Sequence, residues 1–162
     1  MALSLNRSSC IQNNVSYFIG LDYLLRTVNH FVYEMKQTDL FCVIIGRGRI
    51  LLQPKNLASE LQVDDYVWFT GFIPDEEMIR YLSTVDICVD PDPSNPFNDR
   101  CTMIKILEYM ALGKPIVAFA LPEHRVSAQD AAYCAKSNNK ADFARQIKIL
   151  MDDPKQREET CH

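Results

Sequence analysis

The chain has 162 residues, of which 48% are apolar and 23% charged, and its net charge is −4 at neutral pH. This length and composition predict one globular domain with its own hydrophobic core, and they exclude collagen-like and intrinsically disordered chains. The acidic balance argues against a dedicated nucleic-acid-binding domain, because such domains usually carry a strong excess of Lys and Arg. No apolar run reaches the ~20 residues that a membrane-spanning helix needs.

Apolar periodicity and turn residues divide the chain into alternating helices and strands. The expected helices are 22–36, 51–61, 75–85, 102–112 and 142–151. The expected strands are 40–45, 66–69, 87–89, 115–120 and 131–135. Short links between alternating strands and helices are typical of a parallel sheet, so the sequence predicts an α/β fold with helices on both faces of the sheet.

The regular pattern occupies residues 21–154, which we take as a single domain. Residues 1–20 show no periodicity and are expected to form an irregular N-terminal segment, and residues 155–162 are expected to form a tail. The N-terminus holds no apolar block long enough for a secretory signal. The six cysteines include no C-x-x-C pair, so the spacing fits neither a zinc site nor a dithiol redox site. We therefore expect a cytoplasmic protein with reduced, structural cysteines.

Ligands of open parallel sheets bind beyond the carboxyl ends of the strands. Four links leave those ends and form the candidate pocket walls: 46–50, 71–74, 90–101 and 121–129. The link 90–101 leads into a helix that begins near Thr102, and the N–H groups of a helix start can bind an anion. Two interpretations stay open, a diphosphate held by the backbone of residues 100–103 or an ordinary capped helix.

Two further motifs near the strand ends also allow two interpretations each. Gly46 and Gly48 resemble the start of a dinucleotide-binding loop, but Leu51 stands where the third glycine is required. This pair either lets the backbone approach a ligand or forms a tight turn. Lys105 and Glu108 are three residues apart on one helix, so their side chains can meet. An exposed ion pair is the favoured interpretation, and the alternative is that both side chains point into the pocket.

The sequence Asp90-Pro91-Asp92 places two carboxylates close together. Such a pair can hold Mg²⁺ against a nucleotide diphosphate. The neighbouring prolines and Asp99 favour a solvated loop instead, so we expect no metal site here. We place His124 in a loop, and no nucleophile–base pair can be assembled from the spacing of the histidines, so a hydrolase triad is not supported.

Three segments carry a family resemblance. They read VWFTGFIPDEE over 67–77, YLSTVDICVDP over 81–91 and KILEYMALGKPIVA over 105–118. In this order and spacing they resemble the C-terminal half of a family 4 glycosyltransferase, a retaining enzyme of the GT-B fold. The resemblance implies that residues 21–154 form a Rossmann-like domain that binds a nucleotide-diphosphate sugar for hexosyl transfer, without a cofactor or a metal ion.

The resemblance also implies roles for individual residues. Glu108 matches a glutamate that contacts the donor ribose. Arg100 stands where another glutamate usually meets the donor sugar, so the local charge is reversed and no catalytic residue is assigned. The stretch 102–104 supplies backbone amides to the diphosphate, the turn 72–73 packs on the base, and 46–48 matches a Gly-x-Gly motif. The expected donor-binding set is Gly46, Gly48, Phe72, Ile73, Thr102, Met103, Ile104, Lys105 and Glu108.

The sequence departs from the family pattern in two ways. It shows no counterpart of the acceptor domain, and residues 16–22 lack the two cations that grip the diphosphate in the family. We therefore expect a truncated donor-binding half that is inactive alone, with an acceptor-domain chain or a second copy as the candidate partner. The alternatives are a non-catalytic nucleotide-binding or interaction module, an NAD-dependent enzyme, which the missing third glycine disfavours, and a truncated reading frame without a stable product.

Overall fold

Among the described residues, six strands form one parallel sheet in the order β3-β2-β1-β4-β5-β6. The structure is a computed structural model and describes residues 8–12, 20–46 and 51–159. The strands are β1 (Ser8–Gln12), β2 (Leu40–Ile45), β3 (Val67–Gly71), β4 (Ile87–Asp90), β5 (Ile116–Phe119) and β6 (Ala132–Ala135). The helices are α1 (Leu21–Asn29), α2 (Leu52–Glu60), α3 (Asp75–Thr84), α4 (Ile104–Ala111), α5 (Pro122–Ser127), α6 (Lys140–Asp152) and α7 (Pro154–Glu159).

The sheet is buried on both faces, as predicted. Successive side chains of a strand point to opposite faces, so Ile44 joins one apolar cluster and Val43 the other. The first cluster packs under α1 and α6, and the second packs under α3 and α4. Cys42 and Cys88 lie inside these clusters, as expected of structural cysteines. The α/β class and the helices on both faces are therefore confirmed.

Residues 8–12 correct the expectation of an irregular N-terminal segment. They form β1, the central strand, which pairs with β2 in the register Ser8↔Leu40 and with β4 in the register Cys10↔Ile87. A short polar sequence shows no strand periodicity of its own, but ladders on both sides satisfy its backbone groups. The strand therefore depends on tertiary pairing rather than on a local pattern.

The chain beyond residue 154 also contains regular structure. Within the expected tail, α7 spans Pro154–Glu159. The Asp153 carboxylate accepts hydrogen bonds from the N–H groups of Lys155 at 3.0 Å and Gln156 at 3.3 Å, and Pro154 occupies the first helical position. This is a strong helix-start signal. In the part of the chain that the structure describes, no helix is long and apolar enough to cross a membrane.

Candidate functional site

The strand order reverses between β1 and β4, and this reversal creates a crevice at the carboxyl ends of the two strands. Gly20, just before α1, packs against the link that leaves β4. A Cβ atom added to Gly20 would lie 1.8 Å from the carbonyl oxygen of Pro91, so only glycine fits there. The start of α1 and the end of β4 therefore meet at the crevice.

The link between β4 and α4 is fixed by its own side chains. The side-chain oxygen Oδ1 of Asn95 accepts hydrogen bonds from the backbone N–H groups of Phe97 at 3.0 Å and Asn98 at 2.9 Å. The Asn98 amide in turn donates to the carbonyl of Pro93 at 2.8 Å. Turns closed by asparagine side chains hold the backbone in a defined shape. The link is thus an ordered wall of the crevice.

A second contact ties this link to the loop between β6 and α6. The N–H of Ser94 donates to Oδ1 of Asn138 at 2.8 Å, and Nδ2 of Asn138 donates to the Ser94 carbonyl at 3.3 Å. Asn138 has a φ of 60°, a left-handed conformation that asparagine tolerates. Two of the loops at the carboxyl edge of the sheet are therefore braced against each other.

Helix α4 begins at Ile104, two residues later than predicted. Met103 is its N-cap residue with extended backbone, and no side chain among the described residues caps the helix. Thr102 is a good capping type, but its hydroxyl donates to Oε2 of Glu123 in α5 at 3.0 Å. The first turn of α4 therefore presents backbone N–H groups without a side-chain acceptor.

Lys105 is buried in the second position of α4, with 5% of its side chain exposed. Its Nζ lies 2.9 Å from Oδ1 of Asp90 and 2.9 Å from Oδ2 of Asp92. The predicted exposed ion pair with Glu108 is therefore wrong, since the lysine faces the end of β4. The predicted solvated loop at Asp90 and Asp92 is wrong as well, because both carboxylates are buried. A buried charge persists where it is paired, and Lys105 supplies the counter-charge.

His124 lies in α5 rather than in a loop, and it is 1% exposed. Its Nδ1 is 2.9 Å from the carbonyl oxygen of Phe119, and its Nε2 is 3.3 Å from Oδ2 of Asp90. A carbonyl can only accept, so Nδ1 carries a hydrogen. We call Asp90, Asp92, Lys105 and His124 the buried charge cluster. It joins the end of β4, the following link, α4 and α5.

The buried charge cluster changes the titration of two of its members. Burial, together with the negative charge of Asp90, raises the pKa of Asp92 to about 7, although Lys105 opposes the shift. Burial alone would lower the pKa of Lys105, but Asp90 and Asp92 outweigh it, so that pKa is raised above its ordinary value. Lys105 therefore stays charged, and Asp92 exchanges a proton near neutral pH.

Both carboxylates are paired with a lysine side chain in this arrangement. Within the ranges that the structure describes, no group of three or more His, Cys, Asp or Glu side chains is placed to hold a metal ion. The Lys105 ammonium is at ion-pair distance from both Asp90 and Asp92.

The predicted base-binding turn also lies at the carboxyl edge. Phe72 is 65% exposed and Ile73 is partly buried, directly after β3. The N–H of Gly46 donates to the carbonyl of Gly71 at 3.3 Å, so the ends of β2 and β3 are adjacent. Gly48 lies outside the described residues. The turn is three strand positions from β4, roughly 14 Å at the usual strand spacing, comparable with the length of an extended nucleoside diphosphate.

The remaining predicted residues lie around α4. Arg100 is exposed in a short 3₁₀ turn over Asn98–Arg100, and Thr102 is exposed beside it. Ile104 is 68% exposed at the first helical position. Glu108 is partly buried, one helical turn further along. Arg100, Thr102, Ile104 and Glu108 thus lie at or near the start of α4. The Lys105 side chain instead points into the protein, toward Asp90 and Asp92.

The buried charge cluster is what sequence reasoning missed. Its members come from separate segments of the chain, and charged residues usually lie on the surface. One signal was present: Asp90 ends an apolar strand that is buried throughout. A carboxylate in that position needs a partner, and the helix that follows offers Lys105.

Residues 12–153 match the family described as glycosyl transferases group 1. The chain belongs to this family. It is 28% identical over 140 residues to an uncharacterized glycosyltransferase of Haemophilus influenzae, covering 83% of this chain and 36% of the relative. It is 34% identical over 91 residues to an amylovoran biosynthesis glycosyltransferase of Erwinia amylovora, covering 52% of this chain and 22% of that relative. The chain therefore spans about a third or less of the length of these relatives.

Solved structures share the fold. TarM of S. aureus, crystallised with UDP among other ligands, matches with a TM-score of 0.80 and 16% identity over 96% of this chain and 31% of that one. HepE of Anabaena in complex with UDP and glucose matches with a TM-score of 0.78 and 15% identity, over 96% of this chain and 42% of that one. The C-terminal domain of a glycosyl transferase group 1 family protein from Francisella tularensis matches with a TM-score of 0.72 and 18% identity, over 96% of this chain and 80% of that one. The fold is the Rossmann-like domain of GT-B glycosyltransferases.

Proposed function

We propose that this domain binds the nucleotide-diphosphate part of a sugar donor for glycosyl transfer. The observation that carries the proposal is the start of α4, which opens at the carboxyl edge beside the reversal of strand order and has no side-chain cap from any described residue. A diphosphate accepts hydrogen bonds from such N–H groups and is stabilised by the helix dipole. Membership of the group 1 family supports the proposal.

The other residues at this edge fit the parts of a nucleotide sugar. In the proposal, the backbone at Met103 and Ile104 holds the diphosphate, and the Glu108 carboxylate accepts hydrogen bonds from the ribose hydroxyls. Phe72 presents an exposed ring to the base. Arg100, which is exposed on the link, offers a positive charge to the donor.

We further propose that the transferred group is a hexose, that its configuration is retained and that no metal ion takes part. The pairing of Asp90 and Asp92 with Lys105 supports the last point. Leaving-group charge would then be stabilised by the helix start. In this proposal no described residue is assigned to the acceptor, and the domain alone is expected to bind the donor without transferring the sugar.

One observation favours a second candidate, an interaction module that a partner chain completes. Large apolar side chains are exposed at the same edge of the sheet: Phe72 by 65%, Phe97 by 75% and Ile104 by 68%. Apolar side chains grouped on a surface are typical of interaction sites. A module of this kind would bind its partner whether or not a nucleotide sugar is present.

Calorimetric titration with UDP-, GDP- and ADP-sugars tests the proposal. We expect saturable binding of at least one nucleotide sugar, and we expect Glu108→Ala to weaken it by about tenfold because a charge-assisted hydrogen bond to the ribose is lost. Glu60→Ala, at the exposed end of α2, is the matched control and is expected to bind normally. If no nucleotide sugar in the panel binds, the proposal is overturned and the interaction module remains.

A further inference from the structure

The buried charge cluster lies directly below the proposed diphosphate site but makes none of the proposed donor contacts. Lys105 is the residue after Ile104, at the start of α4, and its ammonium holds Asp90 and Asp92, each at 2.9 Å. Asp90 also faces His124 from α5. The charged groups that meet here therefore come from β4, from the link after it, from α4 and from α5.

The geometry at His124 shows how the charges balance. Because Nδ1 donates to the Phe119 carbonyl, the Nε2 atom of a neutral ring would be an acceptor. It faces Oδ2 of Asp90 at 3.3 Å, and a carboxylate oxygen is also an acceptor. A proton between the two turns this contact into an attraction. With one additional proton in the cluster, the charges of the two carboxylates and the Lys105 ammonium sum to zero.

Without that additional proton, the cluster carries a net negative charge. Charges in a poorly solvated interior interact strongly over several ångströms. A negative charge below the first turn of α4 would therefore repel a diphosphate at the same place where the helix dipole attracts it. It would also strain the link that places the helix start, since the carboxylates would repel each other.

Building on the proposed function, we propose that Lys105 and His124 are positioning residues for the donor diphosphate. They hold and neutralise Asp90 and Asp92, so that the link after β4 presents the start of α4 to the anion. Binding of the diphosphate then requires the additional proton, and the complex takes up protons when it forms near or above neutral pH.

The titration of Asp92 agrees with this charge balance. Burial and the charge of Asp90 raise the pKa of Asp92 to about 7, so the cluster as a whole gains and loses one proton around neutral pH. Binding an anion nearby favours the protonated cluster. Donor affinity is therefore expected to fall as the pH rises above neutral.

Variants that remove single charges test the proposal. Their Kd is measured for the nucleotide sugar of the panel that wild type binds most tightly. Lys105→Met is expected to raise its Kd by about tenfold, and the double variant Lys105→Met with Asp92→Asn is expected to recover most of the loss, because it returns the cluster to its wild-type net charge. Lys114→Met is the matched control. Lys114 donates to the carbonyls of Ser83 and Val85 at the opposite edge of the sheet, so this variant loses stability but keeps its Kd.

Proton uptake gives a second readout that a purely structural role would not move. Calorimetry in buffers of different ionisation enthalpy is expected to show uptake of a fraction of a proton per bound nucleotide sugar in wild type at about pH 7.5. Nucleotide sugars are suitable because their diphosphate is a diester and does not titrate there. The uptake is expected to vanish in Asp92→Asn, whose cluster is neutral without the additional proton. This measurement needs no Lys105 variant to fold.

Three results decide the outcome. Recovery of binding in the double variant together with uptake in wild type supports the proposal. An unchanged Kd in a folded Lys105→Met variant, or binding by wild type without proton uptake, overturns it and leaves the proposed donor site intact. Failure of every nucleotide sugar to bind wild type overturns the donor site and this proposal together.

Discussion

Gly20 and Pro91 are in backbone contact, so the segment that enters α1 and the segment that leaves β4 are closely packed. The site of a Cβ atom on Gly20 is only 1.8 Å from the Pro91 carbonyl oxygen. The neighbour in the way is backbone, which cannot move aside as a flexible side chain can. The contact lies beside the buried charge cluster, since Asp90 and Asp92 flank Pro91.

Gly20→Ala is expected to lower the free energy of unfolding by roughly 1–3 kcal/mol, because the added methyl group forces the two segments apart. Gly71 provides the matched control. Its φ is 73°, and nothing lies within 4 Å of an added Cβ, so Gly71→Asn is expected to change stability much less. Urea unfolding of both variants measures the difference. Equal losses would contradict the packing argument.

Stability is expected to depend on pH through Asp92. The pKa of Asp92 is about 7 in the folded protein against 3.8 in the unfolded chain, so between about pH 4 and pH 7 the folded state binds more protons. Wild type should therefore lose stability as the pH rises through this window, by at most about 1.4 kcal/mol per pH unit. Unfolding of wild type and Asp92→Asn across the window measures this slope. The same slope in both proteins would show that another group is responsible.

The brace between Ser94 and Asn138 is expected to stabilise the carboxyl edge. Asn138→Gly keeps the left-handed backbone available but removes both hydrogen bonds, which should lower stability by about 1 kcal/mol. Asn138→Ala should lose more, because alanine also disfavours a φ of 60°. Denaturant unfolding measures both variants. If glycine destabilised more than alanine, conformational freedom rather than the hydrogen bonds would control this position.

The contact between Thr102 and Glu123 is expected to affect binding more than stability. Thr102→Val keeps the shape of the side chain but removes the hydroxyl that donates to Glu123, so the segment before α4 is held less firmly. We expect the Kd for the nucleotide sugar to rise by about threefold, with a loss of stability of about 0.5 kcal/mol because the hydrogen bond is exposed to solvent. Thr102→Ser retains the donor and should bind as wild type does. Equal binding by the valine variant would show that this contact does not position the helix start.

Elements with a strong local pattern were predictable from the sequence. Leu40–Ile45 is an apolar run that is buried throughout most of its length, and the predicted strand has the observed bounds. Helix α3 has Pro74 before it and three acidic residues in its first turn, and its start at Asp75 was predicted correctly. In both cases the residues themselves specify the element.

Elements that depend on distant contacts were not predictable in the same way. Ser8–Gln12 becomes a strand because β2 and β4 flank it. Pro122–Ser127 is a single short helix, and its six residues are too few for an apolar period to be visible. The buried charge cluster depends on Asp90 and Lys105 meeting across a long link, which no local spacing reveals. The roles assigned to Glu108, Arg100 and the turn at Phe72 remain predictions.

The central position of β1 has a consequence for how the domain is assembled. Its five residues are the only hydrogen-bonded connection, among the described strands, between the pair β3-β2 and the trio β4-β5-β6. Deleting them would divide the sheet into two ribbons, each with an unpaired inner edge. Such edges readily accept an extended segment from another molecule, so a protein shortened at this end is expected to self-associate rather than to remain a folded monomer.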